Sequence, residues 1–314
     1  MNKVFKVIWN HATQTWTAVS ELGHAKGKTK SKKIVKLTAL AGAVLGVVGT
    51  AQAAVELGSS SITIKSDSPT ANELTKGKNN INIGTGANTF RSDGGNVVSH
   101  DAIAIGSSAT GTGDASVAIG LGSKALSQSG VALGQGAQSK AVNAIAIGKD
   151  GKAEGSQALA IAANANASGT QSIAIGTDTT SSDAATVAIG KTATSTGSAA
   201  VSVGSDALAT GPNSVYLGMM SKAGKDGGAG ATRANSIAIG TSVHSHGMSS
   251  VAIGGGSKAT QDQSIAMGRT AKAIAEDATA IGYNANASAN NATAIGREAV
   301  ASADNAVAQG AGAK

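Results

Sequence analysis

One tetrad recurs every fourteen residues through most of the chain, and no other feature restricts the fold so tightly. Ile103-Ala104-Ile105-Gly106 is followed by Val117-Ala118-Ile119-Gly120 and then by Val131-Ala132-Leu133-Gly134. The series continues at Ile145, Leu159, Ile173, Val187, Val201 and Val215. After one step of 22 residues it resumes at Ile237 and runs through Val251, Ile265, Thr279, Thr293 and Val307, which makes fifteen tetrads. Ile81-Asn82-Ile83-Gly84 stands 22 residues before the first. A fixed period of this length is the signature of a repeat architecture in which each unit is completed by its neighbours.

Within a unit the tetrad alternates branched, small, branched, a period of two that reads as a short strand. The glycine after it supplies a turn. A second, weaker alternation follows, with small residues three and five positions beyond that glycine, as in Ala271 and Ala273 or Ala285 and Ala287. Each unit therefore reads as two short strands and two tight turns. Identical units running in one direction stack as parallel strands, so fifteen coils make a rod of about 70 Å. The fold class is all-β, a parallel β-solenoid. Alternation puts Ile103 and Ile105 on one face and Ala104 on the other. We expect the branched residues to fill the roll. The column Ala104, Ala118, Ala132, Ala146, Ala160 would then lie outside as an association surface. Tyr216 falls in that column and calls for local widening.

Composition agrees with a thin core. Of 314 residues, 43 are glycine and only 2 are proline, and Phe, Tyr and Trp number two each. A wide globular core would need more large side chains. Cysteine is absent, which excludes disulfides and thiolate metal sites. The formal charge of +7 lies wholly in residues 1–53, with eight lysines against Glu21; residues 54–314 balance 17 basic against 17 acidic side chains. The remainder has no net positive field and only Phe90, Tyr216 and Tyr283 as aromatics, so it is not expected to bind nucleic acid.

The N-terminus reads as an export signal. Lys26, Lys28, Lys30, Lys32, Lys33 and Lys36 precede an apolar run from Leu37 to Gly49, and Ala51-Gln52-Ala53 gives an A-x-A cleavage pattern. The apolar run is shorter than the ~20 residues of a spanning helix. Cleavage is expected between Ala53 and Ala54. Ahead of the basic cluster, Asn2, Lys3, Lys6, Val7, Ile8, Trp9, Asn10, Trp16, Ala18, Val19, Ser20, Glu21 and Leu22 resemble the extended signal region of large Gram-negative autotransporters. That resemblance implies type V secretion.

The repeat itself resembles the head of trimeric autotransporter adhesins of the YadA type, built on (N/S)-S-V-A-I-G. Asn235-Ser236-Ile237-Ala238-Ile239-Gly240 and Asn213-Ser214-Val215-Tyr216-Leu217-Gly218 carry the match best, followed by Asn143-Ala144-Ile145-Ala146-Ile147-Gly148. The resemblance implies a left-handed parallel β-roll in a homotrimer at the bacterial surface. It implies attachment to host cells or to matrix proteins such as collagen, fibronectin or laminin, and self-association between cells. It makes Asn235, Ser236, Ile237, Ala238, Ile239 and Gly240 the candidate ligand-binding unit. Family members continue into a neck, a heptad stalk and a membrane barrel, whereas here the repeat runs to Gly310 and the sequence stops at Lys314. The chain accordingly reads as a fragment or a truncated gene product, with membrane attachment only through a C-terminal anchor not present in it.

The chain divides into an extended signal (1–53), a lead-in (54–80) and head repeats (81–314) with insertions at 85–102 and 219–234. Loops on a rigid scaffold often carry function, so the insertions are candidate binding segments. His244 and His246 share a strand face but lack a recognisable third ligand for a metal. Gly23-His24-Ala25-Lys26-Gly27-Lys28-Thr29 is one residue short of a phosphate-binding loop and lies in the signal. No nucleophile elbow or acid–base constellation is present, so the chain is read as non-catalytic and without cofactor. The alternative is an ice- or crystal-binding solenoid, which needs threonine rows. Thr177, Thr179, Thr192 and Thr194 do not recur in register over the chain.

Overall fold

The structure, a computed structural model, describes residues 79–89, 99–219 and 228–314, together with the backbone of the strands Phe5–Asn10, Thr15–Ser20, Ala54–Leu57 and Ile62–Lys65. The chain forms two units, Met1–Gln52 and Ala53–Lys314. In the first, Phe5–Asn10 and Thr15–Ser20 pair antiparallel, with Lys6 opposite Val19 and Trp9 opposite Trp16. The apolar run 37–49 lies outside the described residues, as does Ala53.

The second unit is the solenoid. Ala54–Leu57 pairs antiparallel with Ile62–Lys65, which pairs in parallel with Ile81–Ile83, and that strand with Ile103–Ile105. From there every tetrad adds one three-residue strand to the same parallel sheet, ending at Val307–Gln309. The second alternation forms two-residue strands, from Thr110–Gly111 to Val300–Ala301, in a parallel sheet of 14 strands. Register is in steps of one unit: Ala132 stands beside Ala118 and Ala146, and Ser139 beside Ala125 and Ala153. Neighbouring coils also bond through their turns, as when the Gly120 amide donates to the Ile105 carbonyl at 2.8 Å.

Residue type accounts for the first turn and for part of the second, since Ala115, Ala185 and Ala199 take the same left-handed conformation as the asparagines. The first, after the three-residue strand, has glycine at φ between 112° and 149°, as at Gly254 and Gly218. A second left-handed residue follows two positions later, such as Asp150 or Asn164 (φ 55° and 56°). The second turn, after the two-residue strand, places Asn143, Asn213, Asn235, Asn291 and Asn305 at φ 56–61°. Asn and Asp tolerate this region better than other non-glycine residues. The first-turn glycines are also packed too tightly for a side chain: a Cβ on Gly204 would lie 1.9 Å from the Gly218 carbonyl oxygen.

One first turn breaks the rule. Ala162 replaces the glycine at φ 111°, a conformation L side chains rarely adopt. Ala162→Gly is expected to raise stability by about 1 kcal/mol, the relief of strain outweighing the added freedom of the unfolded chain. A thermal unfolding midpoint that stayed level or fell would contradict this.

Sidedness is the reverse of the sequence expectation. Ala104, Ala118, Ala132, Ala146 and Ala160 are fully buried inside the roll, while Ile103 and Ile105 and their equivalents are partly exposed on its outside. The interior is made at four small positions per coil. In the coil from Ile145 these are Ala146, Gly151, Ala153 and Ala158. The physical reason is width: two sheets joined by turns this tight leave room for alanine against alanine and none for isoleucine. Interior serines bond across the roll, Ser139 Oγ to the Ala144 carbonyl at 2.8 Å and Ser195 Oγ to the Ala200 carbonyl at 2.9 Å.

Among the described residues Tyr216 is the one large ring in the interior, and it is fully buried with Val243. Its hydroxyl lies 3.3 Å from the carbonyls of Met219 and Gly240. Burial pushes its pKa up, against the opposing effect of backbone bonds at Val243 and Ser242. Tyr216 therefore stands inside the roll and not in the outer column that the sequence suggested, at the coil where the chain leaves its fourteen-residue step. The coil is regular again from Ala229, so the extra residues fall between Met219 and Gly228. Likewise residues 85–89 and 99–102 belong to a coil, and the extra residues fall between Thr89 and Ser99. Both inserted stretches lie outside the described residues.

Candidate interaction surface

Three surfaces run the length of the solenoid. The outer face of the three-residue-strand sheet carries two columns of aliphatic residues, Ile103 to Val307 and Ile105 to Ile295. Ile119, Leu217, Met267, Ile281 and Ile295 are 36 to 39% exposed, and Val307 is 70% exposed. A monomeric protein rarely leaves an apolar stripe of this length in water. Column members vary in size, with Thr279, Thr293 and Met267 among Ile, Val and Leu.

The outer face of the second sheet is polar and irregular. Lys124, Gln138, Lys152 and Asn166 stand in one row, and Lys140 pairs with Glu154 at 2.5 Å in the next. Thr180 and Thr194 are neighbours, but Asn166 and Leu208 flank them and break the row. Thr179 is buried and Thr192 is in a turn, so the described residues present no flat threonine ladder for a crystal lattice to match.

His244 and His246 lie on this face with ring centroids 5.4 Å apart, edge to face. His246 Nε2 is 3.2 Å from the Gly228 carbonyl oxygen. Burial pushes its pKa down and the Lys258 charge adds to this, while the Gly228 bond opposes. Among the described residues no group of three or more His, Cys, Asp and Glu side chains could hold a metal ion.

The turns make the third surface, two edges on opposite sides of the roll. Their side chains form short ladders between coils, as with Asn164 to Asp178 at 2.9 Å and Gln171 to Gln157 at 3.0 Å. At the second turn, Asp114, Asp262 and Asp304 accept from the backbone amides of His100, Met248 and Asn290 in the preceding coil.

The hexapeptide singled out in the sequence is one rung of this scaffold. Asn235 is the left-handed second-turn residue, and its amide donates to the Pro212 carbonyl. Ser236 and Ala238 are fully buried, with Ser236 Oγ on the Arg233 carbonyl at 2.7 Å. Ile237 and Ile239 belong to the aliphatic face, and Gly240 receives the Tyr216 hydroxyl. The outward aliphatic columns are the feature that sequence reasoning placed on the wrong side. Ala54, the expected first residue after cleavage, opens the strand Ala54–Leu57.

Comparison with known proteins agrees with this geometry. Residues 1–50 match the model described as the extended signal peptide of the type V secretion system. The model described as the YadA head domain repeat matches 99–123, 125–150, 153–179, 167–193, 195–215, 245–271, 273–299 and 287–313, more than half of the chain. The chain belongs to the YadA-like trimeric autotransporter adhesins. A relative named autotransporter adhesin EhaG, from Escherichia coli O157:H7, is 36% identical over 109 residues, which is 34% of this chain and 6% of the relative. The chain thus matches only a small part of that relative's length. As a YadA-type head preceded by a type V signal, it is exported to the Gram-negative cell surface.

Proposed function

We propose that this chain is a non-catalytic adhesin head that works as a homotrimer. Three rolls pack their aliphatic faces against one another around an axis along the rod, in the number the family implies. The observation that supports this best is the pair of half-exposed aliphatic columns, 36 to 39% exposed at Ile119, Leu217, Met267, Ile281 and Ile295 in the single chain. Burying them leaves the polar sheet and the turn edges for a ligand. The signal is cleaved between Ala53 and Ala54, and the exported form is nearly neutral.

The ligands are host matrix proteins such as collagen, fibronectin or laminin, host cell surfaces, or a second adhesin on a neighbouring cell. Weak contacts are spread along the coils and summed over three chains by avidity. The Asn235–Gly240 rung contributes as one such unit, through the edge at Asn235. A solid-phase binding assay with immobilised matrix proteins tests this. Deleting whole units, such as residues 159–172, keeps the register and is expected to lower affinity in steps. If deleting 220–227 alone abolished binding while every coil remained, the distributed site would be wrong and the loop would be the site.

A further inference from the structure

The two turn edges carry opposite net charge at the C-terminal end of the solenoid, with Arg269 and Arg297 outweighing Glu298 on the first-turn edge. On the first-turn edge, Arg269 and Arg297 stand two coils apart with Tyr283 between them. Their guanidinium carbons lie 5.6 and 5.9 Å from its ring centroid. Arg297 also meets Glu298 of its own turn at 3.2 Å. On the second-turn edge of the same coils stand Asp262, Glu276, Asp277 and Asp304. Asp262 and Asp304 each use one carboxylate oxygen on a backbone amide. Arg269, Arg297, Glu276, Asp277 and Asp304 are exposed.

These edges lie on opposite sides of one roll, so a chain cannot join its own. Rotation about an axis parallel to the rod does join them. When three rolls turn the same face to the axis, each corner brings the first-turn edge of one copy to the second-turn edge of the next, at the same height. We propose that a second copy of this chain occupies the acidic edge, with Arg269 and Arg297 of one copy meeting Asp262, Glu276, Asp277 and Asp304 of its neighbour. This seam borders the aliphatic face and depends on the trimeric reading above. Among the described residues, the coils from Ile145 to Val201 offer no such match: their first-turn edge mixes Lys149, Asp150, Asp178, Lys191 and Asp206. The complementarity is therefore complete only when chains run parallel. Exposed pairs add little affinity singly, but like charges brought together at a seam discriminate strongly against the wrong arrangement. The arginines are held over Tyr283 before association, which reduces the freedom they lose on pairing.

The test uses the exported chain at low ionic strength, with trimer dissociation followed by analytical ultracentrifugation. Reversal of one edge, Arg269→Glu with Arg297→Glu, is expected to weaken assembly about tenfold or more, with the difference shrinking in high salt. A chain that also carries Glu276→Lys, Asp277→Lys and Asp304→Lys has both edges reversed, and its trimer is expected to recover. Intrachain damage would not be repaired by changes on the opposite edge. A single-edge reversal that assembled as tightly as the unaltered chain, or a double reversal that failed to recover, would overturn the seam. An unaltered chain that stayed monomeric would instead overturn the trimer.

Discussion

Replacing Ala146 by glutamate is expected to open the solenoid at that coil. Ala146 is fully buried between Ala132 and Ala160 in the first sheet, with Gly151, Ala153 and Ala158 completing the interior. A glutamate there must either bury an unpaired carboxylate in a space sized for a methyl group or expel its strand from the sheet. The cost is expected to exceed about 4 kcal/mol, at the far end of single substitutions. A solenoid bonds each coil only to its neighbours, so the damage should divide the rod rather than unfold it evenly. Limited proteolysis is expected to cut near residue 146 and leave two resistant pieces. A chain as resistant as the unaltered one would show that the column is not interior.

Charging the adjacent residues should do the opposite. Ile145 and Ile147 flank Ala146 in one strand but point outward and are partly exposed. Ile145→Glu with Ile147→Glu leaves the interior untouched, so circular dichroism and protease resistance of the single roll should change little. Assembly should be lost at micromolar concentration, because six carboxylates would converge on the axis. Sedimentation velocity reads this directly. A variant that remained trimeric would remove the aliphatic face from the interface.

The coil was legible in the sequence because its determinants are local. The tetrads fixed the first strand, Gly106 and its equivalents fixed the first turn, and the paired small residues such as Ala271 and Ala273 fixed the second strand. Which face points inward was not legible from alternation, which sorts residues into two faces without ranking them. The better signal was tolerance of size. A closed interior accepts one volume, and positions 102, 104, 109 and 111 are Ala, Ala, Ala and Gly in a single coil. An outer face accepts variety, as Thr279, Thr293 and Met267 show among the branched residues. Tyr216 follows its alanine column into the interior, where its ring is fully buried beside Val243. The edge charges could not be paired from sequence, because a pairing needs the height of each turn and the presence of a second copy.

The proposed assembly turns aliphatic residues toward other chains and alanines into the roll. Thiol accessibility tests it most directly, since the chain has no cysteine of its own. Three single substitutions, Ala146→Cys, Ile147→Cys and Lys152→Cys, sample the interior, the aliphatic face and the polar sheet of one coil. Maleimide labelling is measured on the assembled and the dissociated protein. The thiol at 152 is expected to react at once in both. The thiol at 147 should react only after dissociation, and a bifunctional maleimide should join chains through it in the assembly. The thiol at 146 should stay protected until the roll unfolds. Free labelling at 147 in the assembly, with chains joined instead through 146, would contradict the account.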